Sequence, residues 1–143
     1  MIDRFNMLKD KNGFKFLDKG EGEPLILLHG LIGELSNWDA VLDYFSKGYR
    51  VIIPALPIYS NPVRKLGLET LTDFLESFVD LLTLDHINLM GNSLGGHIGL
   101  IYALRRKEKV KRLILTGSSG LFENSMGGSY PCLLSTSPSP RDR

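Results

Sequence analysis

Apolar and polar positions along this chain follow two rhythms. Four short stretches are nearly continuous in apolar side chains: LILLH at 25–29, YRVII at 49–53, INLM at 87–90 and KRLILT at 111–116. Runs of this length and continuity fit strands buried on both faces. Between them the spacing changes to three and four. Leu71, Phe74, Leu75, Phe78, Val79 and Leu82 line one side of a helical wheel, with Asp73, Glu76 and Asp80 mostly opposite and Thr70 as the expected N-cap. A shorter helix runs through Trp38, Val41, Leu42 and Phe45, opened by Ser36 with Asp39 in the manner of a capping box. A third runs from Leu94 to Arg105.

At the N-terminal end, RFNML and FKFL flank Asp10-Lys11-Asn12-Gly13, and Asn-Gly is a strong hairpin-turn signal. Residues 20–24 and the Pro-rich stretch 54–69 read as loops. Strands that alternate with helices predict an α/β fold: a mostly parallel central sheet flanked by helices and entered through an antiparallel hairpin. There is no internal repeat. Residues 1–131 form part of a single domain. After Pro131 the chain reads CLLSTSPSPRDR, two leucines and then nine residues without an apolar side chain. Apart from Ser135, where that string has Tyr, it resembles the conceptual translation of a transposon-type sequencing adapter. Residues 132–143 are therefore expected to be an artefactual or disordered tail outside the fold.

Composition narrows the function classes. The 143 residues carry a formal net charge of +1, which gives no reason to expect nucleic acid or an anionic membrane as partner. No apolar run approaches the roughly 20 residues that span a bilayer, and the first residues lack the apolar core of a secretory signal. The single Cys132 and the absence of a Cys/His cluster at ligand spacing argue against a disulfide framework and a metal site. The expectation is a cytoplasmic, soluble protein without a cofactor.

The chemistry concentrates in INLMGNSLGGHIGL, residues 87–100. Gly91-Asn92-Ser93-Leu94-Gly95 fits G-x-S-x-G, with a strand running in and a helix running out. So abrupt a reversal forces Ser93 into a strained backbone conformation and turns its hydroxyl outward. Gly91 and Gly95 stand where any side chain would jam strand against helix. The Leu94 N–H, at a helix start, is left to face the space beside Ser93, which makes half of an oxyanion hole. His29-Gly30-Leu31, after the first buried strand, is placed to supply the other half through the Leu31 N–H, with Gly30 allowing the turn.

LILLHGLIG and LMGNSLGGHIGL, with YRVIIPALP between them and VKRLILTGSSG after, resemble the N-terminal half of the α/β-hydrolase fold family. GNSLGG with GSSGLFENSMGG is similar, more weakly, to the hydrolases that cleave carbon–carbon bonds in ring-fission products. The resemblance implies Ser93 as nucleophile, Leu31 and Leu94 as oxyanion donors, and an acid and a histidine later in the chain in the order Ser, Asp or Glu, His. Here the sequence departs from the pattern. After Ser93 the only histidine is His97 and the only carboxylates are Glu108, Glu123 and Asp142. The strands that would carry the acid and the base are missing, so an incomplete fold with an exposed edge at KRLILT is expected, and this chain alone is expected to be inactive.

Other residues read as structure. His97 lies on a helix that leads away from the serine hydroxyl, His29 orders the oxyanion loop, and His86 opens a strand at the far end of the sheet. Arg105, Arg106, Lys107, Lys109, Lys111 and Arg112 sit at a helix C-terminus and read as solvated caps of its dipole. Ile32, Leu121, Phe122 and Met126 are candidates for the pocket wall of a small-molecule substrate. Three functions fit: hydrolysis of a carboxylic ester or similar acyl substrate, carbon–carbon bond hydrolysis at the same site, and a non-catalytic binding protein on the same fold.

Overall fold

A computed structural model describes residues 8–31, 35–58 and 67–118. Six strands form one sheet in the order β1-β2-β4-β3-β5-β6. They are β1 (Leu8–Lys11), β2 (Phe14–Lys19), β3 (Glu23–Leu28), β4 (Tyr49–Pro54), β5 (Ile87–Asn92) and β6 (Val110–Thr116). The first two form an antiparallel hairpin that joins β4 antiparallel, and β4, β3, β5 and β6 run parallel. Asn12 and Gly13 both have positive φ, as the tight hairpin turn requires. The predicted tail, 132–143, and the proposed pocket residues Ile32, Leu121, Phe122 and Met126 lie outside the described residues.

The continuous apolar runs divide between two cores according to the strand's period of two. In β3, Ile26 and Leu28 face the core shared with α2 (Leu68–Leu81) and α3 (Leu94–Arg105), while Leu25 and Leu27 face the core under α1 (Asp39–Phe45). In β4, Ile52 faces the first, and Val51 and Ile53 the second. Each of these side chains is almost entirely buried, so alternation along the strand would have left a core unfilled. Phe14 and Phe16 of the hairpin pack against Phe74 and Phe78 of α2 in tilted and edge-on pairs at centroid distances of 4.9–5.7 Å, fastening the antiparallel end to the helical layer.

The element starts differ from the sequence expectations in instructive ways. Helix α2 begins at Leu68 behind an extended Gly67 and has no side-chain cap, so Thr70 falls inside the first turn. The N-cap position of α1 is occupied by Trp38 rather than by Ser36. Ser36 lies in a 3₁₀ turn, Leu35–Trp38, whose tighter hydrogen bonding feeds directly into the helix at Asp39. Glu23 and Pro24 belong to β3, where they pair with Tyr49 and Arg50, rather than to the preceding loop. The proline is tolerated as the second residue of the strand, and its carbonyl accepts a 3.1 Å bond from the Asn88 side chain. Pro54 ends β4 from inside, and β5 continues through Gly91 and Asn92.

The basic cluster is also more than a helix cap. Arg105 pairs with Glu69, Asp73 and Glu76 of α2, Arg106 with Glu76 and Asp80, and Lys109 with Asp80. Lys111 and Arg112 pair with Glu23. These cations couple elements rather than stand free for an anion. On the hairpin side, Arg50 grips Asp18 with two bonds of 2.9–3.0 Å and Lys9 adds a third. Burial pushes the Asp18 carboxyl up, but Arg50 and Lys9 together outweigh it and hold the group below its ordinary value. Strand β6 is one of the two sheet edges among the described residues, and Ile114 on it is 41% exposed.

Candidate active site

Strands β3 and β5 are neighbours, yet the chain leaving β3 goes to the face covered by α1 and the chain leaving β5 to the face covered by α3. Such a divergence opens a crevice at the carboxyl ends of the strands. A cavity of about 150 Å³ lies there, lined by His29, Gly30, Trp38, Asn92 and Thr116.

Ser93 stands at the rim of this crevice between β5 and α3, with φ 51° and ψ −117°. Only three described non-glycine residues have positive φ, and for Ser93 the other backbone angle lies outside the left-handed helical region as well. The cost of such a conformation is of order 1–3 kcal/mol, so it persists only because the surroundings impose it. Glycine makes room for it. A Cβ on Gly91 would come within 2.6 Å of the Gly95 backbone, and one on Gly95 would strike the Leu28 carbonyl oxygen. The strand and helix can close on each other at this bend only without side chains at those two places.

The loop after β3 meets the bend directly. A Cβ built on Gly30 would lie 3.2 Å from the Ser93 Cβ, so the two segments are adjacent. His29 fixes this loop. Its Nε2 accepts the Leu56 N–H at 3.1 Å, which leaves the ring proton on Nδ1 to be donated to the Gly30 carbonyl at 3.0 Å. Both ring nitrogens are thereby used, and the side chain is buried. Leu31 follows in a turn with its side chain exposed, and Leu94 is the first residue of α3, where helix geometry gives the N–H no intrahelical acceptor. His97 is half-buried on α3, and His86 lies exposed before β5. Neither belongs to the cavity lining.

Three lining residues were not singled out as site residues by sequence. Asn92 is the first variable position of G-x-S-x-G, and Thr116 is the end of β6, opposite Asn92 in register. Trp38 is buried, and its indole N–H has no hydrogen-bond partner among the described residues. The signal that finds Asn92 and Thr116 is topological: both end parallel strands at the crevice side. No carboxylate or cation among the described residues lines the cavity. Among the described residues no group of His, Cys, Asp and Glu is placed to hold a metal ion, and no helix is long and apolar enough to cross a membrane.

Comparison with known proteins agrees with this geometry. A family model described as alpha/beta hydrolase fold matches residues 23–131. The chain belongs to the α/β-hydrolase fold family. Among curated members, it is 34% identical over 111 residues to a 2-hydroxy-6-oxo-2,4-heptadienoate hydrolase of Pseudomonas putida, covering 73% of this chain and 40% of that protein. It is 34% identical over 113 residues to a strigolactone esterase of Arabidopsis thaliana, covering 73% and 42%. Among solved structures, an α/β hydrolase enzyme from the metagenome of lagoon sediments at Mar Chica, Morocco, is 50% identical with a TM-score of 0.76, covering 81% of this chain and 53% of that one. The chain thus spans less than half the length of those curated relatives.

Proposed function

We propose that this chain carries the nucleophile-bearing half of a serine hydrolase acting on a carboxylic ester or similar acyl substrate. The observation that carries the reading is the bend at Ser93: a serine with φ 51° where β5 gives way to α3, against the Gly30 loop and beside a cavity. Ser93 Oγ attacks the carbonyl carbon as its proton passes to a histidine held by a carboxylate. The oxyanion is stabilised by the Leu31 and Leu94 N–H groups, and loss of one such donor costs about 3 kcal/mol of transition-state stabilisation. The alcohol leaves with the proton, water attacks the acyl-enzyme, and the acid is released. His29 is committed to the loop, so the acid and the base are assigned to the part of the full-length protein that corresponds to the relatives' unmatched length.

Carbon–carbon hydrolysis is the second reading, and the similarity to the Pseudomonas putida hydrolase favours it. It uses the same serine with a carbon leaving group. The test is to offer the full-length protein aryl esters and a vinylogous diketone acid, with Ser93→Ala as control. Turnover of the ester that vanishes in S93A supports the first reading, and preference for the diketone acid supports the second. Turnover of neither, by a protein that binds one of these compounds, would point to a binding protein on this fold.

A further inference from the structure

We propose that Thr116 is the positioning residue for Ser93, an assignment that rests on the reading of Ser93 as nucleophile. One residue of β6 holds every residue of the bend. The Thr116 carbonyl accepts the Ser93 N–H at 3.1 Å and the Asn92 side-chain amide at 3.1 Å. The Thr116 hydroxyl accepts from the same amide at 3.1 Å and donates to the Gly91 carbonyl at 3.3 Å. Residues 91, 92 and 93 are thus fastened to a single point on the neighbouring strand, where Asn92 and Thr116 pair in register.

The need for such a fastening follows from the strain. A serine at φ 51° and ψ −117° has no local preference to remain there, so contacts outside the bend must hold it. Glycine at 91 and 95 removes obstacles but supplies no restraint. The Thr116 bonds supply one, and they reach the oxyanion side too. A Cβ on Gly30 would lie 3.5 Å from the Asn92 Oδ1, so the Asn92 carboxamide borders the space where the two loops meet. Because its amide nitrogen is engaged by both Thr116 oxygens, that carboxamide presents its oxygen, in a fixed direction, to the crevice. The edge strand β6 therefore governs both the direction of the nucleophile and the width of the gap beside it.

The hydroxyl and the methyl of Thr116 can be separated. Thr116→Val keeps shape, strand preference and the carbonyl but removes the hydroxyl, and Thr116→Ser does the opposite. In the full-length hydrolase, T116V is expected to lower kcat about tenfold through loss of the hydroxyl's two hydrogen bonds, with KM nearly unchanged and T116S close to wild type. In the same full-length protein, hydrogen exchange of the Asn92 carboxamide and the Ser93 N–H is expected to quicken in T116V and not in T116S. Wild-type kcat in T116V with unchanged exchange overturns the assignment, and so does a T116S variant as impaired as T116V, because packing alone would then explain the site. If S93A were as active as wild type, the nucleophile reading would fail, and the positioning role for catalysis with it. The exchange data would then decide separately whether the fastening exists.

Discussion

Helices α2 and α3 pack side by side on one face of the sheet and share a core, yet they are built on opposite principles. In α2 apolar residues recur at helical spacing, Leu71, Leu75, Phe78 and Val79 are buried, and carboxylates fill the far side. It would be recognised as a helix in any context. In α3 the sequence LGGHIGLIYALR has little polar face and buries three glycines, Gly95, Gly96 and Gly99, in its first half. Relative to alanine those glycines give up roughly 3 kcal/mol of helix propensity. What is gained is proximity: the first turn of α3 comes down onto β5 and the end of β3, where Ser93 sits. One helix is shaped by burial alone, the other by the site at its N-terminus.

The contrast can be broken at its strongest point in either helix. Phe78→Ala, in the packing helix, removes a fully buried ring stacked on Phe14 and Phe16 and should cost about 3–5 kcal/mol in urea unfolding. Gly95→Ala, in the site helix, adds a single methyl that meets the Leu28 and His29 carbonyls. It should cost about 3 kcal/mol by the same measurement, although alanine is the better helix former. Gly99→Ala sharpens the comparison, because its Cβ would find Leu28 and Leu113 methyls at 3.5–3.6 Å, ordinary contact distances. There propensity should prevail, with stability unchanged or raised by up to about 1 kcal/mol. If G95A and G99A behaved alike, the close approach at the first turn would not be what sets the glycines.

The charged regions give smaller effects. The carboxyl of Asp18 is held below its ordinary 3.8, so its ionised form contributes stability that is present above that value and lost as pH falls through the lowered one. Asp18→Asn should therefore lower the denaturation midpoint near neutral pH, and the difference from wild type should close in acid below the folded-state value. Smallest of all, Arg106→Gln should weaken the α2–α3 pairing slightly, an effect that molar salt should erase because these groups are solvent-screened. Salt-independent loss would mean that the guanidinium acts through packing.

Much of the architecture was legible because β3 and β4 are apolar on both faces, which only a covered parallel strand explains, and because α2 repeats its pattern over several turns. The bend was legible because glycines at 91 and 95 around a serine have a steric meaning independent of context. Helix starts were less so: Ser36 and Thr70 satisfy the capping rule, but backbone geometry at the 3₁₀ turn and at Gly67 set the beginnings instead. The roles of Arg105, Arg106 and Lys109 depend on α2, which is remote in sequence, so a local reading saw only a helix end. Thr116 was invisible for the same reason, since its importance lies in which strand stands beside β5 and in what register.

The central claim is that the bend between β5 and α3 makes one serine chemically distinct, and a fluorophosphonate probe on the full-length protein tests it most directly. Ser77 is an ordinary exposed serine on α2 and serves as the internal comparator. The account predicts a single covalent adduct mapped by peptide mass spectrometry to Ser93, lost in Ser93→Ala and kept in Ser77→Ala. A folded protein that leaves Ser93 unlabelled, or labels Ser77 as readily, would contradict it.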